Sequence, residues 1–415
     1  MPVQKPANFA EAMLDSLWST PLTRFILLYA AMYAAFGVAS PFLPAFVSAR
    51  GLAPEQLGVV LGAGTAVRLL TAPLAGRIGD LIQGLRVVLV VCLALAASVT
   101  IGYLAAHGFW ILLGINLLHA AAQAPITILA DALALGSASG TRSGRPGFEY
   151  GWVRGTGSAA FIVGTLLSGQ VVSALGLDTI VYLQTLLLGV AAFVAILVPE
   201  LIHPRTADAV RAPTGGVLIL FRLPLFRNLV LVAALILGSH AMHDAFAVIR
   251  WSKAGIVPST ASLLWSESVA AEVLVFFVIG PALVTRLTPA GAAAIAALAG
   301  MLRWAVMAQT TNVIAIALAQ PLHGITFALL HLACMRLIGR TVPAGLEGTA
   351  QAIYGTVGIG MATALLILVS GMLYARLGGQ GFWVMAALCA LAFPLTWKLR
   401  RPLFAEDRGL NSEDV

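Results

Sequence analysis

The chain is a succession of apolar runs, each long enough to cross a bilayer and parted from the next by a short polar break. A helical crossing needs roughly 20 apolar residues. Backbone that faces lipid must satisfy its own hydrogen bonds, which restricts such runs to helices. Twelve runs qualify, at approximately 22–47, 56–78, 86–106, 109–136, 151–174, 178–199, 226–251, 260–285, 290–309, 312–338, 346–374 and 379–399. Several breaks are so short that neighbouring helices must be antiparallel. The longest, "ELIHPRTADAVRAPTGGVLILFRLPL" at 200–225, holds prolines, a glycine pair and basic residues, and divides the runs six and six. Only 10% of residues are charged, against about 25% in a soluble domain. The first 21 residues are polar and carry neither the apolar core nor the cleavage site of a signal peptide.

Charge orients the chain. If the runs alternate in direction, Lys5, Arg24, Arg77, Arg86, Arg142, Arg145, Arg205, Arg211, Arg222, Arg227, Arg286, Arg336, Arg340, Lys398, Arg400, Arg401 and Arg408 share one side. Arg50, Lys253 and Arg376 are the main exceptions. The positive-inside rule places the basic side, and both termini, in the cytoplasm. The expected organisation is a cytoplasmic segment 1–21, a six-helix bundle 22–199, a cytoplasmic linker 200–225, a second bundle 226–400 and a cytoplasmic tail 401–415. The net charge of +7 is then a topology signal and a contact with anionic lipid, with no nucleic-acid partner expected. Cys92, Cys334 and Cys389 all fall inside runs and read as small core residues.

Two six-helix halves invite a search for a repeat. Arg68 precedes Gly76 by eight residues in run 2, as Glu272 precedes Gly280 in run 8. Runs 4 and 10 both carry Leu-His, at Leu118-His119 and Leu322-His323. Runs 5 and 11 both carry Tyr-Gly, at Tyr150-Gly151 and Tyr354-Gly355. The fold class expected is an all-α membrane protein, twelve transmembrane helices in two pseudo-symmetric six-helix bundles.

Ionisable residues inside the runs are the candidate functional groups, because each costs about 2.5–3.5 kcal/mol at mid-bilayer and tends to face the bundle interior. Glu272 lies roughly 18 Å into run 8, close to mid-depth, and Glu267 is shallower. Five residues apart, they differ by about 140° around the helix, whereas Ser268 and Glu272 nearly share a face. Arg303 in run 9, His323 in run 10, and His240, His243 and Asp244 in run 7 fall at compatible depths, and Arg68 supplies a positive charge from the other half. Glu272 could alternatively serve as a structural partner of Arg303. Glu267 reads as a residue of the cavity wall, His119 and His331 as core histidines. Asp131 and Arg154 are expected to link runs 4 and 5 as a gate or brace. Glu149 suits the positive end of the run 5 helix dipole. Trp251, Trp304 and Trp383 read as interfacial or packing residues.

The loop "GRIGDLIQGLR" (76–86) resembles the glycine–aspartate–basic signature of the major facilitator superfamily, carried here by Gly76, Asp80, Gly84 and Arg86. Leu81 stands where a basic residue is usual, and the second glycine comes one position late. "FEYGWVRGTGSAAFIVG" (148–164) resembles the start of helix 5 in lactose-permease-like proton symporters. A closer resemblance, to the phenylpropionate permease family, runs over most of the chain. It rests on "LGAGTAVRLL" (61–70), "LADALAL" (129–135), "LWSESVAAEV" (264–273), "LRWAVMA" (302–308), "LHGITFALLHLACMRLI" (322–338) and "GFWVMA" (381–386). The resemblance implies an inner gate containing Asp80 and Arg86, and aligns His323 with the helix 10 histidine of the sugar symporters. Those proteins carry an acid three positions later. Here that position is Thr326, which leaves proton titration to Glu272 and Asp244.

These readings converge on a secondary active transporter, a proton symporter for a small organic solute such as an aromatic carboxylate, working by alternating access. Glu272, Asp244 and His323 are the expected proton-coupling groups, and Arg303, Arg68, His240 and Glu267 the expected substrate contacts. Partners are a small solute, protons and the bilayer; no cofactor or metal is implied, and the chain is expected to act as a monomer in the cytoplasmic membrane. No phosphate-binding loop of the G-x-x-x-x-G-K-[ST] type is present, and no nucleophile–base or metal-ligand spacing suggests an enzyme. The alternatives are a proton-coupled efflux antiporter for apolar or cationic compounds, and a non-transporting sensor or assembly factor on the same scaffold.

Overall fold

The computed structural model describes residues 20–139, 147–200 and 216–400. Lys5, Arg142, Arg145, Arg205, Arg211, Arg401 and Arg408 lie outside these, with most of the linker and both terminal segments. Among the described residues the chain forms twelve transmembrane helices. They are α1 (Pro21–Ala39), α2 (Pro54–Ile82), α3 (Leu85–Ala105), α4 (Phe109–Ala138), α5 (Tyr150–Leu175), α6 (Thr179–Leu197), α7 (Pro224–Lys253), α8 (258–287), α9 (289–309), α10 (Val313–Thr341), α11 (347–377) and α12 (Phe382–Trp397). No strand occurs among the described residues.

Local chemistry sets the helix ends. Thr20 caps α1 by accepting a hydrogen bond from the Thr23 amide at 3.3 Å, with Pro21 just inside the helix, where its missing N–H is no loss. Run 1 is not one helix: α1 stops at Ala39 and a short helix, Leu43–Ala49, follows. Pro41 lies in the gap and cannot donate a backbone hydrogen bond. Gln83 ends α2 in the left-handed conformation at φ 52°, and the Gly84 amide returns to the Gly79 carbonyl at 3.0 Å, a common helix stop. Thr288, at φ 62°, turns the chain between α8 and α9.

The chain divides into two compact units. The first comprises Met1–Ala207, Asp244–Ser266 and Ile367–Ala375. The second comprises Asp208–His243, Glu267–Leu366 and Arg376–Val415. In the first, α1 packs on α5 and α6, and α2 on α4, around a core that includes Phe25, Leu28, Met32, Leu89, Leu133 and Leu188. In the second, α9 packs on α10 and α12.

Small residues let helices of the first unit cross at backbone distance. A Cβ on Gly371 would lie 2.7 Å from the Pro54 carbonyl oxygen and 3.0 Å from the Gly58 Cα. A Cβ on Gly169 would collide with the Ser262 hydroxyl, and beside it Ser173 Oγ accepts a hydrogen bond from the Ser259 amide at 3.0 Å.

Helices of the second unit are interrupted. α7 breaks at Ser239–His240, between Pro224–Gly238 and Ala241–Lys253. α10 breaks at Gln320–Pro321. Three π-helical stretches follow: Val275–Ile279 in α8, Ile325–Leu329 in α10 and Tyr354–Met361 in α11. π-helical turns are frequent at functional sites.

Candidate functional site

The breaks gather the polar residues of the second unit. Arg303, on α9, has no exposed surface. Its Nη1 lies 3.0 Å from His323 Nδ1, and its Nη2 donates to Gln320 Oε1 at 2.9 Å. His323 Nε2 lies 3.1 Å from Glu272 Oε2. A guanidinium has donors only, so His323 Nδ1 must accept and the ring proton sits on Nε2, where it donates to Glu272. The result is a chain, Arg303 to neutral His323 to Glu272, in which one imidazole connects a cation and an anion that share no ion pair among the described residues. The alternative of a direct Arg303–Glu272 brace is therefore replaced by a bridged one.

Aromatic rings fix that imidazole. Phe327 stacks on it at 5.5 Å and 14°, and the His240 ring lies 5.0 Å away. Trp304 packs under the Arg303 guanidinium at 4.6 Å and donates from Nε1 to Ser239 Oγ at 2.8 Å. Trp304 is fully buried, so it is a packing residue of this cluster and not part of an interfacial belt. Gln320 Nε2 approaches His243 Nε2 at 3.5 Å. The far end of the chain is open: the Glu272 side chain keeps 30% of its surface, whereas Arg303 keeps none. Glu267 is half-buried in α8 and takes part in no ion pair among the described residues.

The first unit holds a cavity of about 490 Å³. Phe36, Leu43, Leu61 and Phe161 give it apolar walls, and Arg68, Asn116, His119, Gln123 and Asp244 give it polar groups. Arg68 is exposed to it. Its Nη2 donates to Gln123 Oε1 at 3.0 Å, and it makes no ion pair among the described residues. Asn116 is locked in place, donating to the Val60 carbonyl at 2.7 Å and accepting from Tyr103 at 3.0 Å. His119 is buried beside Gln184 at 3.4 Å.

The expected α4–α5 link takes a different form. Asp131 Oδ1 accepts hydrogen bonds from Tyr29 and, at 2.8 Å, from Tyr150. Arg154 instead lies over the Tyr33 ring at 5.1 Å. The two charges do not pair with each other. Combining Asp131→Asn with Arg154→Gln should therefore be additive in stability to within about 0.5 kcal/mol, whereas Asp131→Asn with Tyr29→Phe should not. A double-mutant cycle on thermal unfolding in detergent checks this. In the last turn of α2 Asp80 is exposed. Arg86 ties the start of α3 to the end of α6 through Glu200 at 3.4 Å and the Val198 carbonyl at 3.0 Å.

One regularity joins the two clusters. Arg68 and Glu272, Asn116 and Gln320, His119 and His323, and Tyr150 and Tyr354 are each 204 positions apart. The same register thus places a charge, an amide and an imidazole in each half, with the charge inverted. Gln320 was discernible as the amide preceding Pro321 in "IALAQPLHG". Gln123, Phe36 and Phe161 carried no such signal, because a glutamine or phenylalanine in an apolar run is ordinary.

Twelve apolar helices that carry ionisable groups within their spans are those of a membrane transporter of the major facilitator type. The chain belongs to the MFS_1 like family, which matches residues 22–387. It is 34% identical over 390 residues to the Escherichia coli (strain K12) protein named "Probable 3-phenylpropionic acid transporter", covering 91% of this chain and 98% of that one. It is 24% identical over 370 residues to the "Maltose permease" of Geobacillus stearothermophilus, covering 89% and 92%. The solved structure of the nucleoside transporter NupG superposes with a TM-score of 0.79 at 16% identity, covering 92% of this chain and all of that one. The protein is a multi-pass membrane transporter.

Proposed function

We propose that the protein is a proton-coupled symporter of the cytoplasmic membrane for small aromatic carboxylates, working by alternating access. Arg68 carries the reading: a guanidinium with no ion pair among the described residues faces a cavity with apolar and polar walls. A cation there is stabilised by an anion that brings charge-assisted hydrogen bonds, while the phenylalanine walls suit a ring. A cationic cargo would be repelled by the same group, which disfavours the efflux antiporter. The relative named for 3-phenylpropionic acid agrees with this chemistry. Buried Arg303, with both terminal nitrogens engaged, serves the coupling cluster in this reading and leaves the substrate to Arg68.

Glu272 is the coupling acid, since it is the partly exposed end of the Arg303–His323–Glu272 chain. As a carboxylate it places a negative charge at the end of the chain through His323; as a carboxylic acid it still accepts from the imidazole N–H but no longer carries that charge. A protonation change at one exposed oxygen therefore alters the fit of three helices.

The test is uptake by proteoliposomes of labelled aromatic carboxylates, matched neutral amides and cationic amines, with and without an imposed pH gradient. Carboxylates should accumulate only with the gradient acid outside. Gradient-independent equilibration of all three classes would overturn the proposal. The orientation has its own expected result. In intact cells, Lys253→Cys should react with an impermeant maleimide added outside, and Lys398→Cys only after permeabilisation.

A further inference from the structure

The hydrogen bond between Arg68 and Gln123 fixes which way the glutamine amide faces. Arg68 reaches the first unit's cavity from α2 and Gln123 from α4, and Arg68 Nη2 lies 3.0 Å from Gln123 Oε1. A guanidinium offers donors and no acceptor. The amide oxygen is therefore the atom turned to Arg68, and Nε2, with two N–H groups, is turned away from it. Gln123 is half-buried and makes no other hydrogen bond among the described residues. The pair thus presents N–H groups from two helices to the cavity, with the amide oxygen already committed. Its polar neighbours are engaged elsewhere: Asn116 by Val60 and Tyr103, and the Thr65 hydroxyl by the Leu61 carbonyl at 3.0 Å.

We propose that Gln123 is a specificity-determining substrate contact, whose Nε2 donates to one oxygen of a carboxylate while Arg68 holds the other. This rests on the carboxylate reading of Arg68. A carboxylate accepts at both oxygens and so meets a donor at each. A carboxamide of the same shape turns its own N–H groups against one of those donors, and a site left with unpaired polar groups rejects such an analogue. Discrimination then comes from the orientation of one amide as well as from charge, and the ligand joins α2 to α4. Glutamate at position 123, nearly the same size, reverses the pattern. Its carboxylate would pair with Arg68 and present an acceptor, where glutamine presents a donor.

The experiment is equilibrium binding of 3-phenylpropanoate and 3-phenylpropanamide to the purified transporter, by calorimetry in detergent. Wild type should prefer the acid. Gln123→Met keeps the side-chain length and removes the donor. It should weaken the acid by about tenfold to a hundredfold, the range for a hydrogen bond to a charged group, and change the amide by less than about threefold. Gln123→Glu should invert the preference, binding the amide more tightly than the acid. Acid affinity in Gln123→Met equal to that of wild type overturns the inference. Retention of the wild-type preference by Gln123→Glu overturns it too. So does a parallel loss of both ligands in both variants, which would make Gln123 a support of the cavity wall. If wild type binds acid and amide alike, or Arg68→Gln binds the acid as well as wild type, it is the underlying carboxylate reading that fails.

Discussion

Glu272→Gln is expected to abolish uphill accumulation while leaving exchange in place. Glutamine keeps the size of a protonated glutamate and can still accept from His323 Nε2, which lies 3.1 Å from the present carboxylate. The variant is thus fixed near the protonated state. Exchange of bound for external substrate needs no proton release, so counterflow should persist. Return of the empty carrier does need it, so the accumulation ratio should fall to one. Wild type coupled to one proton can reach about tenfold for each pH unit imposed. Glu267→Gln, five positions earlier and outside the chain of hydrogen bonds, should accumulate like wild type. Comparing counterflow with pH-driven uptake in the same vesicles decides the matter. Continued accumulation by Glu272→Gln would move the coupling role to Asp244.

Arg68→Gln should weaken carboxylate binding by about tenfold to a hundredfold, the value of a charge-assisted hydrogen bond of about 1.5–3 kcal/mol. Arg68→Lys should recover only part of this, because an ammonium keeps the charge and loses the planar fork. The loss should be confined to ligands with a carboxylate: a neutral amide analogue, bound poorly by wild type, should bind the Gln variant no worse. Equal affinity of wild type and Arg68→Gln for the carboxylate would remove the anion seat. The same ligands in Arg303→Lys separate the two arginines. There the expected damage is to folding, since Arg303 is buried without exposed surface and an ammonium cannot reproduce the fork that reaches both His323 and Gln320.

The sequence carried depth well and direction poorly. Twelve spans could be read from apolar length alone, since lipid imposes that length on every helix. Arg68, Glu272 and His323 stood out because a charge at mid-depth is rare and because the halves repeat. What hydropathy does not encode is which way a side chain points or where a helix opens. Ser239–His240 breaks α7 without a proline, and the π-helical turns after Glu272 and His323 lie in ordinary apolar residues. The Asp131 partners were hidden for a related reason: Tyr29 lies 102 residues away, and a tyrosine in a membrane span has many uses. In the sequence Arg154 is the conspicuous partner because its charge is opposite, yet it lies over the Tyr33 ring.

Gly371 offers a wedge point that no rotamer can evade. Its missing Cβ would meet the Pro54 carbonyl and the Gly58 Cα, which are main-chain atoms and cannot swing aside. A graded series of alanine, valine and leucine at 371 should therefore prise this seam apart in steps set by side-chain bulk. Such variants would be reagents for holding α2 and α11 apart at this crossing by a chosen amount.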